Sequence, residues 1–159
     1  MKLFCARPKV NGVKGSGILE DDRPGCYTLV ISLRKKKRIR IGSLGASDFP
    51  QGIYLYTGSA KNGLRSRLSH HLGKRAKRNH WHIDYLLQCP EARVKYVLIY
   101  PPTRQECALN RQIARLAGAE AIFKGFGASD CVFGCPAHLY YFRRKSPPRM
   151  RLEGISFKP

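Results

Sequence analysis

The chain has 159 residues, 43% of them hydrophobic, which is enough for one domain with a real core and too apolar for a disordered chain. Lys and Arg number 30 against 10 Asp and Glu, and a net charge of +20 is tolerated where a polyanion gains from it, so nucleic acid is the expected partner. The opening MKLFCARPKV is too short and broken for a signal or anchor, no apolar run reaches the ~20 residues of a membrane span, and the cysteines follow no secretory segment, so a cytoplasmic protein without a disulfide framework is expected.

In chain order, residues 1–23 read as an irregular arm with an acidic spot at Glu20–Asp22. Cys26–Leu33 (CYTLVISL) is a strand by its β-branched and aromatic content. Lys35–Lys37 is a basic turn, Arg38–Ile41 a short returning strand, and Gly42–Pro50 a loop of turn formers. Ile53–Thr57 is the next strand, ended by Gly58. A helix starts at Asn62 or Gly63 and runs to Leu72, Lys74–Asn79 is a basic loop, and His80–Gln88 is a second helix closed by Cys89-Pro90. Val94–Tyr100 is a strand stopped by Pro101-Pro102. Thr103 with Glu106 three residues on is a capping-box pattern, opening a helix to Ala117 that Gly118 ends. Phe123–Pro136 is a loop, Ala137–Phe142 the last strand, and 143–159 a basic, mobile tail. Helices inserted between strands make an α+β domain over 24–142, with a small, mainly antiparallel central sheet flanked by helices.

On the first helix Leu64, Leu68 and Leu72 form an apolar stripe. Arg67 and His71 lie to one side of it, four apart, and are neighbours at the edge of a cleft; His70 points outward. The planar, always-charged fork of an arginine suits a phosphate, although the same face also reads as plain basic surface. On the third helix Leu109, Ile113 and Leu116 are the buried stripe, with Glu106 and Asn110 one turn apart beside it. A partly buried acid needs a partner. Mg²⁺ or Mn²⁺ would be one; the other reading makes Glu106 only the capping acid of Thr103.

Gly25-Cys26-Tyr27 on one strand and Tyr56-Thr57-Gly58 on a later one are followed by Ser59, Ala60, Leu64, Arg67, Leu68 and His71. In order and spacing these resemble the paired motifs, glycine turn and Arg-bearing helix of the GIY-YIG nuclease superfamily, over residues 24–142. The segments Gly58-Ser59-Ala60, His80–Leu87 (HWHIDYLL) and Gly125–Cys131 (GFGASDC) resemble a less characterised branch, in which the domain stands alone or is fused to a DNA-repair enzyme. The resemblance implies a metal-dependent endonuclease that hydrolyses DNA phosphodiester bonds, nicking or structure-specific, with one Mg²⁺ or Mn²⁺ per site. It implies Tyr56 as the base or its relay, Tyr27 positioning the water, Arg67 holding phosphoryl oxygens and Glu106 binding the metal. The family's DNA-repair incision enzymes carry a lysine where this chain has Ser59. His71 is the natural substitute for assisting Tyr56, with Lys61 a second candidate.

Lys35, Lys36 and Lys37 in the added hairpin, with Lys61, Arg65, Lys74, Arg75, Lys77 and Arg78, are the expected nucleic-acid contacts, DNA in preference to RNA. His80 and Asp84, four apart, read as a surface pair or as polar support for the site, a role that Ser59, His82, Asn110, Asp130 and His138 share. Trp81 reads as core packing or as a ring for an unpaired base. Cys131, Cys135 and His138 have a spacing zinc can use, with Cys89 or Cys107 as a fourth ligand. No second CxxC pair accompanies them, so a structural zinc is not expected and the cysteines read as small packing residues. The alternative function is a non-catalytic DNA- or RNA-binding module on the same fold. The joint presence of Tyr27, Tyr56, Arg67, His71 and Glu106 favours catalysis, because a carboxylate without a metal would repel a phosphate.

Overall fold

The computed structural model describes residues 22–73, 78–100, 102, 105–148 and 155–159. Most of the expected arm lies outside them, as do Lys74, Arg75 and Lys77 and the expected cap Thr103. The elements run β1 (Gly25–Leu33), β2 (Lys37–Arg40), β3 (Ala46–Phe49), β4 (Gly52–Ala60), α1 (Leu64–Leu72), α2 (His82–Leu87), β5 (Ala92–Tyr100), α3 (Glu106–Ala114), β6 (Leu139–Phe142) and β7 (Ile155–Phe157). The main sheet has the order β6-β4-β1-β5-β7 with every pair antiparallel, and β2 and β3 form a separate hairpin. The α+β class expected from the sequence is the one found.

Strand β1 is central, paired along its length with β4 on one side and β5 on the other. Its side chains alternate between two covered faces. Tyr27, Leu29, Ile31 and Leu33 pack with Leu64 and Leu68 of α1 and Ile83 and Leu86 of α2. Val30 packs with Leu55, Tyr140 and Ile113 of α3, and Cys26 with Tyr100 and Leu109 of α3. Burial on both faces is why CYTLVISL is a continuous apolar run rather than an alternating one.

Several boundaries differ from the sequence reading. The loop expected over 42–50 contains β3, whose ASDF hides behind turn formers; Phe49 is fully buried and Asp48 binds Lys36 at 2.9 Å and Arg38 at 3.3 Å. Gly58 does not end its strand. It sits opposite Tyr27, and a Cβ there would lie 2.6 Å from the Tyr27 hydroxyl, so glycine is present for close approach rather than for a turn. Helix α2 begins at His82, because the Asp84 carboxylate takes the amides of His80 and Trp81. Helix α3 begins at Glu106 and ends at Ala114, so Glu106 is its first residue and not the fourth-position acid of a capping box. The last strand is not β6: within the expected tail, β7 pairs with the outer edge of β5. Among the described residues no helix is long and apolar enough to cross a membrane.

Candidate active site

Tyr27 and Tyr56 point to the α1/α2 face of neighbouring strands, ring centroids 6.4 Å apart. Tyr27 is wholly buried and Tyr56 is 5% exposed. Burial pushes both hydroxyls well above the usual tyrosine range, while the Arg67 guanidinium beside Tyr27 works against it. Gly127, at φ +67°, closes over the far side of Tyr56, where a Cβ would lie 2.9 Å from the ring. Its amide donates to Nδ1 of His82 at 3.0 Å, so the GFG and HWH segments are stitched together behind the tyrosines. His82 therefore accepts at Nδ1, and burial lowers its pKa in keeping with a neutral ring.

The Tyr27 hydroxyl lies 2.8 Å from Nε2 of His71, and Nδ1 of His71 lies 3.0 Å from Oδ1 of Asp84. Asp84 is fully buried and its other oxygen takes Nε2 of His70 at 3.0 Å. Burial opposes its charge, but hydrogen bonds from His71, the Trp81 and His80 amides and His70 outweigh that and hold its carboxyl well below the ordinary range. An ionised carboxylate only accepts, so both histidines donate to it. With one proton on the ring, Nε2 of His71 is left to accept the Tyr27 hydroxyl. Two expectations change. His70 does not point outward, and Asp84 is no surface partner of His80, which is exposed and gives only its amide. His70, His71 and Asp84 are close enough to hold a metal ion, yet this carboxylate already takes four hydrogen bonds and serves as an orienting acid.

Arg67 donates to the Ser59 carbonyl at 3.0 Å, and its guanidinium lies 4.0 Å above the Trp81 ring. Trp81 is thus a platform for Arg67, a role between the two expected for it. The Ser59 hydroxyl donates to Oε2 of Glu106, and Nδ1 of His138 lies 2.8 Å from Oε1. The Glu106 side chain remains 25% exposed, each oxygen keeps a free lone pair, and a lone carboxylate of this kind fits Mg²⁺ or Mn²⁺, whose other ligands are usually phosphate and water. Strand β6 pairs with β4 as far as Tyr56, one further bond runs from the Thr57 amide to the His138 carbonyl at 3.0 Å, and Glu106 and His138 gather beside that end of β4.

Behind Glu106, Cys107, Cys131, Cys135 and His138 bring four ligand atoms within 4.8 Å of one another. Cys107, named earlier only as one possible fourth ligand, is the one brought in; Cys89 instead binds Glu91 at 3.1 Å. Asn110 donates to the Ala137 carbonyl at 2.8 Å and faces the core rather than the cleft, and Asp130 is exposed on the loop. Lys61 and Arg65 are exposed at the cleft end of β4 and α1, and Arg78 is exposed before α2. Lys35, Lys36 and Lys37 sit at the opposite end of β1, where Lys37 pairs with Glu91 at 2.5 Å. A hollow lined by Arg34, Arg143, Arg144 and Lys145 lies at that same far end. Sequence reasoning missed the Arg67–Trp81 stack, for which no signal existed, and the His70 contact. The adjacency of Cys107 to Glu106 was the available hint for the cysteine cluster.

A family model described as Domain of unknown function DUF123 matches residues 26–156. No curated protein and no solved structure matches the chain.

Proposed function

We propose that this chain, which belongs to the DUF123 family, is a metal-dependent endonuclease of the GIY-YIG type that acts on DNA in the cytoplasm, nicking one strand or cutting at particular DNA structures. The observation that carries the reading is the Tyr27–His71–Asp84 chain beside Arg67, with Glu106 close enough to influence both tyrosines. His71 is hydrogen-bonded to the Tyr27 hydroxyl at 2.8 Å, while its ring lies edge-on to Tyr56 with centroids 6.4 Å apart, so the relay assigned above to Tyr56 moves to Tyr27. With its pKa raised, the Tyr27 phenol stays neutral; it accepts a proton from water as it gives one to Nε2 of His71. Asp84 holds the ring and stabilises the imidazolium that forms. Tyr56 borders the same space and positions the water or phosphate. Arg67, already oriented by Ser59 and Trp81, presents N–H groups to the phosphoryl oxygens. A divalent cation held by Glu106 would supply stabilisation of charge on the leaving oxygen.

The second reading, a non-catalytic DNA- or RNA-binding module, is favoured by one observation: both tyrosines are buried in the folded chain. Cleavage of plasmid and of labelled single-stranded, duplex and branched DNA separates the two. The assay uses Mg²⁺ or Mn²⁺ from about pH 6 to about pH 9 and compares wild type with Glu106→Ala and Tyr27→Phe. Metal-dependent cutting lost in both variants is expected. Tight, salt-sensitive binding with no cutting on any substrate would sink the nuclease and leave the binding module.

A further inference from the structure

We propose that Cys107, Cys131, Cys135 and His138 bind one Zn²⁺, and that this centre fixes Glu106 through His138. The four residues come from the first turn of α3, the loop after Phe126 and the approach to β6, so an ion there would tie three segments together. With Zn–S near 2.3 Å and Zn–N near 2.0 Å, a tetrahedral site has S···S edges of about 3.8 Å and S···N edges of about 3.5 Å. Cys107 Sγ lies 3.5 Å from Cys131 Sγ and 3.8 Å from His138 Nε2. The sulfur separation is far beyond the ~2.05 Å of a disulfide. Three thiolates and one imidazole are a donor set zinc takes in closed structural sites. The spacing also works locally: Gly134 at φ +69° turns the chain between Cys131 and Cys135.

The loop needs such a tie. Val132 is 89% and Phe133 62% exposed, so no apolar packing holds its tip. Phe126 and the bonds Gly125 N to Pro136 O and His138 N to Phe126 O anchor only its base.

The orientation of His138 links this centre to the cleft. Nε2 faces the sulfurs while Nδ1 faces Glu106 at 2.8 Å. Zinc on Nε2 would leave the proton on Nδ1 and make it a fixed donor to the Glu106 carboxylate, the arrangement in which a ligand histidine and an outer carboxylate orient each other. That linkage rests on the proposed function only in treating Glu106 as the residue for a divalent cation; the zinc site itself does not.

The test is zinc content of purified full-length protein by mass spectrometry, with the absorption spectrum of the Co²⁺-substituted form. Wild type and Cys89→Ser are expected to hold about one zinc per chain, and Cys131→Ser and Cys135→Ser under about a fifth of that, with a Co²⁺ spectrum of tetrahedral thiolate type. Because either serine variant could simply unfold, His138→Cys is the second variant. It is expected to keep zinc as a four-sulfur site and to bind Mn²⁺ at Glu106 at least ~10-fold more weakly than wild type. Zinc-free wild type, or full zinc in both serine variants, overturns the centre. Unchanged Mn²⁺ affinity in His138→Cys overturns the linkage. Wild type that holds zinc but no Mn²⁺ counts against the nuclease reading and leaves the zinc site standing.

Discussion

Asp84 is a fully buried carboxylate with four hydrogen bonds and two histidines hung on it, and its substitution is the most informative single change in the protein. Asp84→Asn is expected to cost about 3 kcal/mol, because it breaks a buried charge network and can strand a donor. The pH dependence has a definite sign. The folded-state pKa is depressed, so the contribution is fully present above the unfolded value near 4 and is lost as pH falls through the folded value. Denaturant melts of both proteins should show a constant gap above about pH 5 that narrows on acidification; a gap that widens would contradict this. At Tyr27, substitution by Phe removes only the proton relay, so a loss of about 10²-fold or more in cleavage rate with little change in DNA affinity is expected. Tyr56→Phe keeps the Tyr27–His71–Asp84 chain, so the pH profile of the residual activity should be unchanged. Gly58→Ala would push a methyl into the Tyr27 hydroxyl and is expected to cost about 2 kcal/mol and to disturb the His71 contact, visible as a shifted histidine resonance.

At the scale of elements, the candidate site gathers side chains from the neighbouring strands β1 and β4, from α1 and α2 and from the first residue of α3. α1 brings Arg67 and His71 over the tyrosines because Leu64 and Leu68, on the adjoining stripe of the helix, are buried against that same face of the sheet. α1 begins where the Asp22 carboxylate binds the amide and hydroxyl of Ser66, and Asp22 fills the space a side chain at residue 63 would need. The β1–β2 turn lies six residues along β1 from Tyr27, roughly 20 Å at strand rise. Lys36 and Lys37 there are partly neutralised by Asp48 and Glu91. Binding titrations over a range of salt should therefore separate two groups. Lys61→Gln with Arg65→Gln is expected to reduce the salt slope by about 2, whereas the triple change Lys35→Gln, Lys36→Gln, Lys37→Gln should reduce it by about 1 or less. The reverse ranking would move the DNA path to the hairpin end.

For the molecule as a whole, a charge of +20 on 159 residues is a cost borne in the free state. Salt shortens the range of that repulsion to about 8 Å at physiological strength. Thermal stability should rise with added NaCl while nucleic-acid affinity falls, and a gain of about 1 kcal/mol would raise the melting midpoint by about 3 °C. A midpoint that drops with salt would mean that surface ion pairs outweigh the net repulsion.

The sequence by itself determined the fold class, β1, β4, β5 and α1 to within a few residues, and the placing of Arg67 and His71 one turn apart on α1, because these rest on local periodicity and on spacing along one helix. It left β3 and β7 unseen: four residues of mixed polarity and three beyond a basic segment become strands only when a partner edge is offered. It could not tell whether Glu106 caps a helix begun at Thr103; α3 starts at Glu106 itself, which excludes that capping position. Tertiary structure alone chose Tyr27 over Tyr56 as the partner of His71, put Trp81 under Arg67 and set Cys107 beside Cys131, 24 residues away. Each of these is a contact between segments that share no period, and only the packing of α1, α2, α3 and the long loop on two faces of one sheet brings them within reach.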